Sequence, residues 1–185
     1  TISEANRMGV HSGEEGRLDV RARRESRKVD HYSSILRTMF ADEIAAGKPL
    51  RWLDVGAGYG EFIEAVVKTM PSGTEAVGIE PMLYKVNEAA RLGLPVYQAS
   101  LSDLDGTFDA ISLINVYSHV PDFNSFAGAL VAKLRPGGVL FVETGNLADL
   151  GSREEFSDRL FLPDHLVFAG VGQMMAEITR PGLKI

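Results

Sequence analysis

Cysteine is absent from the chain, which excludes a disulfide framework and a thiolate metal site and fits a reducing compartment; the expected location is the cytoplasm. Long apolar runs are missing too. No stretch approaches the roughly 18 consecutive apolar residues that cross a bilayer, and residues 1–29 carry no apolar core of the signal-peptide kind, so no membrane partner is expected. Nor is there a basic excess: 19 Lys and Arg against 25 Asp and Glu leave a net charge of −6. A generic nucleic-acid-binding domain usually has the opposite balance, and no nucleic-acid partner is expected. Internal repeats and low-complexity segments are also absent. What remains, 185 residues with 45% apolar and 24% charged content, is an ordinary globular composition, long enough for one domain with a substantial core.

The most informative stretch is Leu50-Arg51-Trp52-Leu53-Asp54-Val55-Gly56-Ala57-Gly58-Tyr59-Gly60-Glu61-Phe62. An apolar run gives way to alternating glycines and then to a helical pattern, which reads as strand, tight loop, helix. Glycines at 56, 58 and 60 permit positive φ and a close backbone approach. A dinucleotide loop would set a pyrophosphate on the helix N-terminus and would want a further glycine in G-x-G-x-x-G spacing. Here Glu61 stands in that place and Asp54 ends the strand, so two carboxylates flank the position of a phosphate and disfavour it. A ligand with a ribose, an ammonium group and a sulfonium cation but no phosphate suits the loop better, and S-adenosylmethionine has those groups. A nicotinamide-dependent dehydrogenase fails on Glu61.

Around this loop the chain alternates strands and helices. Residues 1–29 form a charged arm, either solvated or a lid, with Arg17, Arg21, Arg23, Arg24, Arg27 and Lys28 facing Glu14, Glu15, Asp19 and Glu25. Tyr32, Ile35, Leu36, Met39, Phe40 and Ile44 recur at helical spacing, which predicts a helix capped by Asp30 and stopped by Gly47 and Pro49. Strands are predicted at 51–55, 76–80, 95–99, 108–114 and 139–143. Helices carry Phe62, Ala65, Val66 and Met70; then Leu83, Val86 and Ala90; then Phe123, Phe126, Ala127, Leu130, Val131 and Leu134. Strand two stops on Glu80, about twenty residues past the loop. At the carboxyl end of a strand in an open α/β sheet, an acid can accept both ribose hydroxyls. The two-sided apolar run at 108–114 belongs in the middle of a parallel sheet. The expected fold is α/β, a doubly wound, mostly parallel sheet with helices on both faces.

Four segments together carry a resemblance: Leu53-Asp54-Val55-Gly56-Ala57-Gly58-Tyr59-Gly60; Glu80 closing strand two; Phe108-Asp109-Ala110-Ile111 running into Ser118-His119-Val120-Pro121-Asp122; and Leu134-Arg135-Pro136-Gly137-Gly138. The chain resembles a class I S-adenosylmethionine-dependent methyltransferase of the small-molecule type, with its Rossmann-like fold. The resemblance implies one methyltransferase domain over 1–185: an N-terminal arm and helix or lid at 1–47, a cofactor-binding core at 50–145, and an acceptor-side insertion with an incomplete C-terminal part at 146–185. It implies a sixth strand and an antiparallel seventh, which are expected to be missing. It also implies that S-adenosylmethionine is the cofactor, with S-adenosylhomocysteine as product, and that Asp54, Gly56, Ala57, Gly58, Gly60, Glu80, Pro81, Met82, Ser100, Leu101, Asn115 and Tyr117 bind it. Within that set Asp54 would hold the amino group, Glu80 the ribose and Met82 the adenine, with Asp103 a further candidate for the adenine amino group.

In-line methyl transfer to an oxygen, nitrogen or carbon of a small-molecule acceptor depends mainly on alignment. His119 and His165 are the candidate general bases if the acceptor must lose a proton. Ser152 and Glu155 form a capping-box pattern that predicts a short helix at 152–160, with Arg153 or Arg159 available to an anionic substrate. No ligand spacing supports a metal at Asn146, Asp149, Asp164 and His165, and none is expected. The alternative reading is a catalytically inactive S-adenosylmethionine-binding or interaction module.

Overall fold

The computed structural model describes residues 25–145, 147–149 and 167–184. They fall into two units, one made of 25–114 and 133–141, the other of 115–132 and the described residues from 142 onward.

The first unit is built on a five-stranded sheet in the order β3-β2-β1-β4-β5, with β1 Arg51–Val55, β2 Glu75–Ile79, β3 Val96–Tyr97, β4 Phe108–Ile114 and β5 Leu134–Glu143, whose last two residues belong to the second unit. The pairings β1–β2, β1–β4 and β2–β3 are parallel, as the alternation of strands and helices predicts. In β1, Trp52 through Val55 are all buried, as expected of a strand covered on both faces. Its register sets Asp54 opposite Gly78 of β2 and Ser112 of β4. That pairing is what builds the site described below.

Helices α1 Ser26–Met39, α2 Ala41–Ala45, α3 Glu61–Thr69 and α4 Leu83–Arg91 complete this unit. Helix α3 begins directly after Gly60, and its Phe62, Ile63, Ala65 and Val66 are buried. Phe62 gathers an aromatic cluster: Tyr32 of α1 at 5.2 Å, Trp52 at 5.8 Å and Phe141 of β5 stacked at 5.7 Å. Such pairs add about 0.5–1.5 kcal/mol each beyond the area they bury. The glycine loop therefore leads into a helix anchored by a rigid core.

Several boundaries depart from the sequence expectation. The first helix starts at Ser26, with Asp30 inside it, because the Glu25 backbone N–H at its cap is taken by Glu61 Oε1 at 3.1 Å. It breaks at Phe40 (φ −115°, ψ 31°), whose ring is buried 4.9 Å from Trp52. Met39, just before the break, is exposed. In α4 the inward residues are Ala89 and the half-buried Val86, while Leu83 and Ala90 face outward. The buried place falls instead to Met82, whose N–H is bound by Glu80. Strand β3 keeps only two residues, and β5 begins at Leu134, directly after the helix rather than at Val139.

In the second unit, α5 Phe123–Lys133, whose last residue belongs to the first unit, is capped by Asp122, which accepts Ser125 N–H at 3.1 Å and Ser125 Oγ–H at 2.6 Å. Helix α6 spans Val171–Thr179, and the Val171 N–H donates to Asp149 Oδ2 at 2.6 Å. Among the described residues no strand follows β5. The helix expected at 152–160, and Asn146, Arg153, Arg159, Asp164 and His165, lie outside the described residues.

Candidate functional site

The glycine loop closes against the end of β2. Gly56 and Ala57 both donate their N–H to the Ile79 carbonyl, at 2.8 and 3.0 Å. This approach needs Gly78: a Cβ there would stand 2.7 Å from the Ala57 methyl. Gly58 has φ +56° and nothing within 4 Å of the position its Cβ would occupy, so the loop presents bare backbone to open space at this residue. At Gly60 (φ +81°) the pressure is internal, since a Cβ would meet Leu94 Cδ1 at 2.8 Å.

Glu80, 4% exposed, accepts the Gly58 N–H on Oε2 at 2.9 Å and the Met82 N–H on Oε1 at 3.0 Å. One carboxylate thus ties the loop to the start of α4. Each oxygen keeps further lone-pair capacity, which suits a vicinal diol. Met82 is buried beside it, and the Pro81 carbonyl accepts Gln98 Nε2–H at 3.0 Å, which attaches the segment leading to Ser100. There Asp103 Oδ2 accepts both the Ser100 N–H at 2.8 Å and its hydroxyl at 2.6 Å. These bonds hold the Asp103 carboxyl below its ordinary range and occupy it as the cap of the 3-10 turn Leu101–Asp103.

Asp54 is 1% exposed, and its Oδ1 accepts the Ser112 hydroxyl at 2.6 Å. Burial pushes its carboxyl up to about 7, the Ser112 bond opposes that rise, and the charges of Glu80 and Glu61 add to it. Three acids therefore converge at the head of α3, a position whose dipole favours anions but whose carboxylate charges repel a phosphate. Next to them, burial and the neighbouring Tyr84 raise the Tyr59 phenol above its usual value, and Lys85 Nζ lies 5.8 Å from the centre of the Tyr59 ring.

The predicted residues Asp54, Gly56, Ala57, Gly58, Gly60, Glu80, Pro81 and Met82 thus come together at one end of the sheet, with Ser100 and Leu101 on the adjoining turn. A cationic, ribose-bearing group fits what stands there: backbone open at Gly58, a fixed diol acceptor at Glu80, and carboxylates whose bonded partners are a hydroxyl and backbone N–H groups. Asn115, Tyr117 and His119 belong to the other unit. Asn115 holds φ +56° with its N–H on the Glu143 carbonyl at 2.8 Å. Tyr117 is buried, its hydroxyl donating to Glu177 Oε2 at 2.8 Å and accepting from Gln173 Nε2 at 3.2 Å. Burial and Glu177 raise that phenol to about 12, so it stays a protonated donor. His119 ends the 3-10 turn Tyr117–His119. Sequence reasoning missed Ser112, Gly78 and Glu177. Ser112 had one visible signal, as the lone hydroxyl in an apolar strand.

A family model described as "Methyltransferase domain" matches residues 23–177. A "Ubiquinone biosynthesis O-methyltransferase" of Xanthomonas campestris pv. campestris is 36% identical over 104 residues, which is 52% of this chain and 43% of that protein. The chain thus spans less than half the length of this curated relative. Among solved structures, a SAM-dependent methyltransferase from Archaeoglobus fulgidus aligns with TM-score 0.65 and 18% identity over 84% of this chain and 69% of that one. A SAM-dependent methyltransferase from Thermotoga maritima, described as a possible histamine N-methyltransferase, aligns with TM-score 0.59 and 22% identity over 86% and 79%.

Proposed function

The chain belongs to the methyltransferase-domain family, with the class I S-adenosylmethionine-dependent fold, and from that premise we propose that it binds S-adenosylmethionine at the carboxyl ends of β1 and β2 and transfers a methyl group to a small-molecule acceptor. The observation that carries this reading is Glu80. Its carboxylate is buried, fixed by the Gly58 and Met82 N–H groups, and set beside two further acids over the open backbone of Gly58. Glu80 holds the ribose, Asp54 the ammonium group, Met82 the adenine, and the turn at Ser100 and Leu101 borders the base. Asp103 stays the candidate for the adenine amino group, since both of its bonds to Ser100 fall on Oδ2 and a carboxylate has a second acceptor oxygen. Asn115 and Tyr117 complete the binding set, as the family resemblance implies.

When bound, the cofactor supplies an electrophilic methyl carbon for in-line displacement. The chain's own contribution is alignment and exclusion of water, which in favourable cases supplies an effective molarity of about 10⁵ M or more. His119 and His165 are retained as candidate bases for an acceptor that must lose a proton. The relatives' names point to different acceptor atoms, oxygen in one and nitrogen in the other, and the proposal spans these together with the carbon acceptor that the sequence reading includes. The single-domain organisation and the cytoplasmic location read from the sequence belong to it as well. Among the described residues no helix is long and apolar enough to cross a membrane.

Isothermal titration with S-adenosylhomocysteine tests the reading: binding is expected in the wild-type chain and lost in Gly58→Val, whose side chain fills the open space. A wild-type chain that gives no heat overturns it. Turnover of labelled S-adenosylmethionine against a metabolite extract then separates a transferase from a chain that only binds the cofactor.

A further inference from the structure

One strand pairing places three polar groups in a row that none of the loop or ribose contacts explains. Trp52 and Asp54 lie two residues apart on β1, hence on the same face, and Ser112 is the register partner of Asp54 on β4. The Trp52 Nε1–H donates to Ser112 Oγ at 3.0 Å, and Ser112 Oγ–H donates to Asp54 Oδ1 at 2.6 Å. With Asp54 ionised, the direction is forced. Indole nitrogen is a donor only and a hydroxyl has one proton, so Ser112 must accept from Trp52 and spend its proton elsewhere. The Leu53 carbonyl at 3.4 Å is the other acceptor within reach, and the carboxylate is far closer. Trp52, Asp54 and Ser112 are all under 2% exposed, so the row is shielded from water. Trp52 itself is fixed by its rings' packing on Phe40 and Phe62.

We propose that Ser112 is a positioning residue for Asp54: its proton, steered by the Trp52 N–H, holds one carboxylate oxygen as an acceptor, so that Asp54 is oriented and ionised to receive the ammonium group of the cofactor. This rests on the cofactor reading above and adds to it a residue outside the glycine loop and Glu80. The charged groups that face Asp54 are Glu80 at the end of β2 and Glu61 at the start of α3. Both are acids and oppose its ionisation. Ser112 is the group that opposes them, and an arriving cation adds to its effect. Burial places the titration near neutrality, so cofactor binding releases a proton there, and affinity rises as pH rises through that midpoint.

Trp52 is the only tryptophan in the chain, which lets the apo protein report on Asp54 directly. Its fluorescence titration is expected to show a midpoint near 7, moved upward by about one pH unit in Ser112→Ala. Ser112→Thr is expected to restore the wild-type midpoint, and Ser112→Cys, with its weaker donor, to fall between. The Thr and Cys variants decide the matter if the Ala variant does not fold. A merely structural role for the hydroxyl lowers Tm and leaves the midpoint alone. S-adenosylhomocysteine affinity measured by calorimetry from pH 5.5 to 8.5 is the second readout, with the same upward displacement expected in Ser112→Ala. Affinity in the wild type with an unmoved midpoint in the variants overturns the positioning role and leaves the cofactor reading intact. A midpoint that moves in the apo titration, with no binding by the wild type, overturns the cofactor reading and with it the role given to Ser112, leaving a hydrogen bond alone.

Discussion

The two ends of the same sheet treat their carboxylates in opposite ways. At the amino end, Asp109, the second residue of β4, is bound by the Arg51 backbone N–H at 2.7 Å and by Arg135 at 2.8 Å, while Arg51 also pairs with Glu75 at 3.2 Å. Partial burial works against the Asp109 charge, but those partners outweigh it and hold the carboxyl below its usual range. At the carboxyl end, Asp54 and Glu80 are more deeply buried, and their bonded partners are a hydroxyl and backbone N–H groups. Asp54 is pushed up, with acids as its charged neighbours. An acid whose charge is already satisfied serves the fold. One held in place without a cation suits the proposed ligand, which brings one.

Glu80→Ala gives the sharpest break of this contrast. It removes both of the proposed ribose acceptors and is expected to weaken S-adenosylhomocysteine binding by about 100-fold or more, as loss of two buried charged hydrogen bonds implies. Tm falls as well, because the Gly58 and Met82 N–H groups lose their partner. Unchanged affinity measured by calorimetry would remove Glu80 from the site.

Asp54→Asn separates stability from binding at the same end. An unfolded aspartate titrates near 3.8 and the folded one near 7. Between those values the folded chain keeps a proton that the unfolded chain has lost, so the contribution of Asp54 to stability is full below about pH 4 and is lost as pH rises to about 7. The amide removes this slope. At pH 8 the variant is expected to melt about 5 °C above the wild type, while cofactor affinity drops at least about tenfold. A wild-type Tm flat from pH 5 to 8, followed by differential scanning calorimetry, would contradict the raised carboxyl.

How much of this contrast was legible in the sequence depends on what creates each feature. The loop, β1, β4 and the spacing to Glu80 are local, written in glycine placement and apolar runs, and they stand where expected. The partners of Asp54 and Asp109 are set by strand register, which a single sequence does not display. Ser112 sits within the apolar run at 108–114, and it is the register that places it opposite Asp54. Gly78 carries no signal of its own in the sequence, although the Ala57 methyl requires it. Helix faces failed where a tether overrode periodicity, as with Met82 drawn in by Glu80 while Leu83 turned outward.

Asp109→Ala moves the test to the amino end. Its loss strips the Arg51 N–H and the Arg135 guanidinium of their acceptor, which is expected to cost about 1–3 kcal/mol and lower Tm by about 3–9 °C. Cofactor affinity is expected to stay unchanged, since Asp109 lies at the end of the parallel strands opposite the loop. A selective loss of binding with Tm preserved would erase the distinction between the ends.

Arg135→Gln carries the smallest effect and isolates the ion pair from the backbone bond. Its side chain is 42% exposed and that of Asp109 25%, so solvent screens the pair, and such bridges are worth about 0–1 kcal/mol. The Arg51 N–H stays on Asp109 Oδ2 in the variant, so most of the stabilisation of that carboxylate survives. The expected result is a Tm drop of about 2 °C or less at low salt, shrinking further as added salt screens the wild-type pair. If Arg135→Gln instead destabilises as much as Asp109→Ala, the guanidinium and not the backbone N–H satisfies Asp109. The amino end would then resemble the carboxyl end, an acid whose charge waits on a cation, the difference being that here the chain supplies its own.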